Sequence, residues 1–575
     1  MLSKNKPKFT VLLITFLTCS IITITIDTNF LASNEIFEPT PDYETTSLKI
    51  SATYSDIVIN DIGGTDWEWA ITQGYCIGSG TVGDPYIIED DIFISSAPPG
   101  DCLSILNSEK YFIIRNCSFK VSGGNDAGLY LFNVTNGQIN NNFFYDNYYG
   151  MELEQVNNTE IRDSQIVDNT HDGIFLSDSH YNTISNNNIS GNSNQGIFLD
   201  DSTHNTISNN EINDNGAIGI ILVTNSNDNT LSGNDATRNG YGIYIDTCSE
   251  NTISNNDLID NNLFGIYLED ADQSDVISNT ANDHGVAGIY IELGSDGNTI
   301  SKNTANNNLD DGIYVLDSDN NTIKENTMNH NGDDGIWVDV CQDSIVNKNT
   351  AYNNSGNGIH LNNGDNITCT ENLVYENQEN GIRLFSTDNC IIEDNNAHHN
   401  GLDGIRVYSS STNNILRFNI GQFNNLSGIH LLSTSNFNLL IDNLATNNQE
   451  HGIYIQTSDS NTLTSNTANN NELNGINLLS SDANSIVSNI AKNNKNGTFL
   501  DSSNNNIITN NILTGNAACF NETGSTGNIF EGNICTSVGG GLGIDPTTIL
   551  LITSIIEGVA ILALVSLFFI KKRKS

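Results

Sequence analysis

The sequence predicts an all-β solenoid, a single-stranded parallel β-helix of about 17–19 coils with a C-terminal transmembrane helix. Three observations predict it. A glycine, almost always followed by an apolar residue, returns seventeen times at intervals of 22–24, from Gly128, Gly150 and Gly173 to Gly475 and Gly497. Asparagines recur in their own phase, from Asn116 and Asn142 through Asn187 and Asn210 to Asn511 and Asn533, interrupted by Ser164. Within each repeat, apolar residues alternate with polar ones at a period of two between short polar turns.

Residues 196–216 show one coil. Ile197 and Leu199 flank Phe198, and Asp200–His204 turns the chain. Thr206-Ile207-Ser208 is a second strand with Ile207 inward. Ile212 is the third inward position, and Asn213-Asp214-Asn215-Gly216 closes the coil. Such coils stack about 4.8 Å apart, giving a length of roughly 80 Å. The asparagines are expected to hydrogen-bond coil to coil and to accept left-handed turn backbone, with the glycines supplying the other unusual backbone position.

The ends place the chain. Lys4, Lys6 and Lys8 precede the apolar run Phe9–Ile26, so residues 1–33 read as a signal peptide or signal anchor. Residues 34–55 read as a flexible lead, 56–100 as an N-terminal cap, 101–535 as the β-helix and 536–546 as a linker. Residues 547–570 are apolar over 24 positions, enough to span a bilayer. Lys571, Lys572, Arg573 and Lys574 follow, which puts the 571–575 tail in the cytoplasm and the repeats outside. The expectation is a single-pass cell-membrane protein. Ten cysteines suit an oxidising exterior, with Cys76–Cys102 and Cys519–Cys535 as cap staples. Cys248 and Cys341 are four coils apart, about 19 Å, too far to bridge.

Acids outnumber bases 68 to 21, for a net charge of −47. Such a surface repels nucleic acid and accepts cations. No nucleophile elbow, phosphate loop or zinc spacing is present.

The residue two after each glycine is expected to face outward. In order these include Tyr244, Tyr267, Tyr290, Tyr314, Trp337, His360, Arg383, Arg406, His430 and Tyr454, an exposed ring stripe that grades into a cationic patch. Asp246, Glu269, Glu292 and Asp339 lie two positions further on. Rings beside carboxylates suit sugars, so a polysaccharide or surface glycoprotein is the expected partner; ring packing alone accounts for the same pattern. Asp310-Asp311 and Asp333-Asp334 are 23 residues apart and stack in adjacent coils, with Asp403 at the phase of Asp311 and Asp334. These four carboxylates form a solvated acidic turn, a Ca2+ site, or, with Arg383 and Arg406, an acid–base centre for polysaccharide cleavage.

The Asn-Thr-Ile-Ser-Asn-Asn runs at 182–187, 205–210 and 251–256 and the Gly-Ile-Tyr strands resemble right-handed parallel β-helix repeat proteins. That group includes the NosD-like periplasmic proteins and the carbohydrate-binding and sugar-hydrolase (CASH) modules. Asp84-Pro85-Tyr86-Ile87-Ile88-Glu89 is similar to the start of such domains. The resemblance covers about residues 80–535 and implies a right-handed helix. Its NosD branch implies copper handling, and β-helix polysaccharide lyases imply an Arg base beside Ca2+.

Overall fold

The computed structural model describes residues 52–95, 100–122 and 124–537. The expected signal segment 1–33, the lead before residue 52, the linker from residue 538, the span 547–570 and the tail 571–575 lie outside them. Among the described residues, no helix is long and apolar enough to cross a membrane.

Each coil contributes two or three short strands, and every strand pairs in parallel with its counterpart one coil away. Ile197–Asp200, for instance, lies between Ile174–Ser177 and Ile218–Val223. The first sheet runs from Ile57–Asn60 to Ala518–Thr523 and the second from Tyr86–Glu89 to Ile529–Glu531. The third runs from Thr53–Ser55 to Ile534–Ser537, thinned in places to single bridges such as Glu211↔Asp235. About 19 turns result. The period-two pattern explains the core: Ile197, Leu199, Ile207 and Ile212 point inward and are fully buried.

Coiling begins ahead of the expected boundary at residue 101. Thr53–Ser55 pairs with Ile92–Ile94, and Ile57–Asn60 with Leu103–Leu106. One helix, α1 (Trp67–Gln73), interrupts the first coil. The Asp66 side chain accepts from the Trp69 N–H at its start, and Gly74 ends it with φ 82°. Trp67 is buried, stacks on Tyr86 at 4.6 Å and donates its indole N–H to Ser108 Oγ at 2.9 Å. Cys519 and Cys535 are bonded as expected. The other expected staple is absent. Cys76 and Cys102 are free and buried, and the Cys102 thiol points to the Lys120 carbonyl at 3.3 Å instead.

The asparagine column forms a continuous ladder. Asn210 Nδ2 donates to the Ile184 carbonyl of the coil before (2.9 Å) and to Asn234 Oδ1 of the coil after (3.0 Å). Its Oδ1 accepts the Asn187 backbone N–H at 2.9 Å. One side chain therefore ties three coils together. Asn116 is not its first member: Cys117 takes that position, its N–H bonded to Asn142 Oδ1, and Asn116 sits one residue early with φ 55°. The same offset holds throughout. The buried asparagines are not the left-handed residues; Asn186, Asn209 and Asn255, which precede them, are, at φ 54–55°. Two further ladders went unread in the sequence. One passes through Asn182, Asn205 and Asn229, the other through Asn192, Asn215 and Asn239.

The glycine column also differs from expectation. None of its members needs positive φ; what each needs is room. A Cβ on Gly335 would lie 2.6 Å from the Gly358 carbonyl oxygen and 2.9 Å from Asn354 Nδ2. Gly335→Ala is expected to cost about 1–3 kcal/mol through overpacking and to lower the melting temperature of the solenoid.

His284 occupies an asparagine position in the third ladder. Its Nδ1 accepts from the Asn261 N–H at 3.1 Å, its Nε2 is buried without a partner, and burial lowers its pKa from 6.5 to about 4. Between pH 6.5 and about 4 the unfolded chain takes the proton first, so stability falls as pH falls through that window and the loss is complete below it. The shift corresponds to roughly 3 kcal/mol. His284→Asn restores the ladder, and thermal melts of that variant should lose much less stability than the parent between pH 7 and pH 4.

Candidate functional site

Strand pairing in the first sheet builds one outward row. Successive partners run Tyr244, Tyr267, Tyr290, Tyr314, Trp337, His360, Arg383, Arg406, His430 and Tyr454. Adjacent strands sit about 4.8 Å apart, close to the distance at which aromatic rings stack. Ring centroids are accordingly 4.8 Å apart for Tyr244–Tyr267, 4.4 Å for Tyr314–Trp337, 5.5 Å for Trp337–His360 and 4.4 Å for His430–Tyr454.

This stacking corrects the expected exposed stripe. The tyrosines and Trp337 are half-buried, and His360 and His430 are buried. Ring faces are turned to each other in the stacked pairs, while Tyr267–Tyr290 and Tyr290–Tyr314 are tilted by 35° and 54°, so much of the row offers edges rather than free faces for sugar C–H groups. Tyr244 and Tyr267 donate their hydroxyls to Glu269 and Glu292, each one coil further on, and Tyr290 donates to Glu292 at 2.7 Å. Burial first, then these carboxylates, pushes the three hydroxyls above the ordinary tyrosine range. Asp339 lies beside Trp337 and accepts from the Asn362 amide at 2.7 Å.

The polar centre comes from the column just before each glycine: Asp311, Asp334, Asn357, Asn380, Asp403 and Ser427. The first five place a side-chain oxygen on a backbone N–H of the next coil, as in Asp334 N–H to Asp311 Oδ1 (2.8 Å) and Ser427 N–H to Asp403 Oδ1 (2.9 Å). Where the residue is an aspartate, a second oxygen remains. Asp334 Oδ2 accepts from His360 Nδ1–H at 2.8 Å and Asp403 Oδ2 from His430 Nδ1–H at 3.0 Å. Both Nε2 atoms, and Trp337 Nε1, are buried without partners. Two Asp–His pairs thus bracket Arg383 and Arg406. Their guanidinium carbons lie over Phe385 and Tyr408, each at 5.6 Å. Arg406 is 3.8 Å from Asp403 and Arg383 is 4.0 Å from Glu379.

The expected catalytic set Asp333, Asp334, Arg383 and Arg406 is therefore not one cluster. Two coils, about 10 Å, separate Asp334 from Arg383, and His360 lies between them on the row. In the column before the glycines, the two coils between Asp334 and Asp403 carry Asn357 and Asn380, which make the same backbone bonds without a spare oxygen. Their role was legible only by following that column as well as the glycines.

The expected metal set divides too. One oxygen each from Asp310, Asp311 and Asp333 lies within 4.8 Å of the others, whereas both Asp334 oxygens are engaged by Asn357 and His360. Nor is the turn simply solvated: Asp311 and Asp334 are buried, while Asp310 and Asp333 are exposed. Burial, then the neighbouring carboxylates Asp334 and Asp310, pushes Asp311 up to about 9 and Asp333 to about 6.

A family model described as a right-handed beta helix region matches residues 242–397, 293–443 and 380–535, together just over half of the chain. The chain belongs to the right-handed β-helix family. A second model, described as a periplasmic copper-binding protein (NosD), matches residues 85–263 of this β-helix. No curated protein sequence matches. Among solved structures, the A-module of the Azotobacter vinelandii mannuronan C-5 epimerase AlgE4 is 15% identical at TM-score 0.32, over 65% of this chain and 90% of its own. PfbA, a surface adhesin of Streptococcus pneumoniae, is 13% identical at 0.30, over 50% and 85%. The pre-mature bacteriophage phi29 gene product 12 is 12% identical at 0.36, over 80% and 73%. Similarity this slight carries no argument.

The three-carboxylate cluster does not fit copper. Copper sites use thiolate, thioether and imidazole ligands. Among the described residues, the metal-competent cluster is all carboxylate and lies outside residues 85–263. The free cysteines among the described residues are buried, and burial pushes thiols such as Cys248 and Cys341 up to about 12, away from thiolate.

Asp334→Ala would strand the Asn357 amide and His360 Nδ1–H inside the protein, at a cost of about 1–3 kcal/mol. Asp334→Asn keeps an acceptor for Asn357, and thermal denaturation should show it to be the milder change.

Proposed function

We propose that this β-helix binds glycans along its outward row, with Arg383 and Arg406 at the centre. The run Trp337, His360, Arg383, Arg406, His430, Tyr454 supports the reading. Two guanidiniums one strand spacing apart repel each other unless polar or anionic groups lie against them. Buried, unpartnered nitrogens flank them on the same row. Tyr244, Tyr267 and Tyr290 extend the surface with hydroxyl–carboxylate edges, Tyr314 continues the row, and Asp339 adds an acceptor. In this reading the repeats stand outside the cell, anchored through residues 547–570; the basic tail and the periplasmic description of the NosD model support that placement. A glycan array probed with the purified chain tests it. Binding should fall at least tenfold in Arg383→Ala/Arg406→Ala, the loss expected for truncating charged partners at a desolvated contact, and less in Tyr267→Ala/Tyr290→Ala. Equal retention by the arginine variant rejects the row as the binding surface.

One observation favours a second reading, a polysaccharide lyase or glycoside hydrolase. A histidine whose Nδ1–H is held by a buried aspartate presents its Nε2 as a base, and His360 and His430 both do so. Release of unsaturated or reducing sugar ends, abolished in His360→Ala, would support catalysis over binding alone.

A further inference from the structure

We propose that Asp310, Asp311 and Asp333 bind a hard divalent cation, Ca2+ by preference, at the turn entering the Tyr314 and Trp337 strands. Three independent observations carry the site. First, carboxylate oxygens from all three residues converge within 4.8 Å of one another. Among the described residues, no lysine or arginine forms an ion pair with any of them.

Second, Asp311 is fully buried with an oxygen to spare. Its Oδ1 accepts the Asp334 N–H at 2.8 Å, and its Oδ2 is buried with no partner. A buried carboxylate oxygen without a donor is costly unless a cation meets it. Asp334, at the same position one coil on, shows the contrast. Both its oxygens are engaged, by Asn357 and by His360, and it stands outside the cluster.

Third, the next coil carries a glycine where the Asp333 carboxylate needs room. Gly356 follows Asp333 by one coil, and a Cβ there would lie 2.4 Å from Asp333 Oδ1. Any larger residue would displace the Asp333 carboxylate.

The donor set selects the cation. Three carboxylates at turns, with water completing the shell, suit Ca2+, which takes six to eight oxygens in flexible geometry. Mg2+ demands a tighter octahedron and keeps its waters, so it should bind more weakly. The site stands apart from the arginine pair and does not depend on glycan binding.

The test is calorimetric titration of the full chain, freed of metal with EDTA, with CaCl2 in about 0.15 M salt to screen diffuse attraction to the acidic surface. The expected result is one Ca2+ per chain with a Kd of about 10⁻⁴–10⁻³ M, as in extracellular modules. Asp310→Asn/Asp333→Asn changes two exposed side chains and should fold; it is expected to weaken Ca2+ binding by tenfold or more. Asp311→Asn is expected to do the same, read only if its melting curve shows a folded chain. No saturable Ca2+ binding up to about 10 mM, ten times the weakest expected Kd, overturns the proposal. So does unchanged binding in Asp310→Asn/Asp333→Asn.

Discussion

A buried asparagine that bonds to the coil below and the coil above is the interaction on which the molecule depends. Parallel strands already exchange backbone hydrogen bonds between coils, and so do some turn residues, such as Asn209 N–H to the Ser232 carbonyl, but the ladder asparagines beside them find no backbone acceptor and donate to a side chain instead. Their N–H groups need acceptors inside a dry core. Asparagine supplies an acceptor and two donors on a short side chain, so one residue satisfies the turn of its own coil and both neighbours. Three such ladders, one near each turn, leave little freedom for a coil to slip. Substitutes in the ladders are informative: Ser164, Ser274 and Cys117 keep part of the bonding, and His284 keeps only its Nδ1 contact on one side.

Fixed register has a consequence for the surface. One residue per coil lands on each row at the strand spacing, so a row's chemistry is written by residues about 23 apart in sequence. Where the outward residue is aromatic, the rings close on each other and surrender their faces. Where it is arginine, like charges are forced together and lie over Phe385 and Tyr408. The proposed binding centre lies where the row changes from rings to cations, with Glu379 and Asp403 beside the two arginines.

The column before the glycines illustrates how one position serves both structure and chemistry. Asparagine and aspartate place the same oxygen on the next coil's N–H. Only aspartate carries a second acceptor and a charge, and the three aspartates Asp311, Asp334 and Asp403 use it differently. Asp334 and Asp403 hold histidines, while Asp311 keeps a spare buried oxygen and contributes a carboxylate oxygen to the cluster with Asp310 and Asp333.

Period and phase in the sequence were enough to establish the coils, the inward apolar positions, the principal asparagine ladder and the membership of the outward row. Each is a property of one repeat multiplied along the chain, and a repeat is local. The sequence also singled out the acidic pairs at 310–311 and 333–334 and the arginines at 383 and 406. Only the tertiary structure decided which of these touch. Asp333 and Asp334 are consecutive in the chain, yet one joins the carboxylate cluster and the other pairs with a histidine in the next coil. The glycines were visible as a column, but their reason, close approach to the carbonyl of the following coil, was not. Burial of the stripe escaped the sequence as well. Alternation assigns a side chain to the inside or outside of a strand; what covers it depends on the size and charge of its neighbour one full turn of chain away.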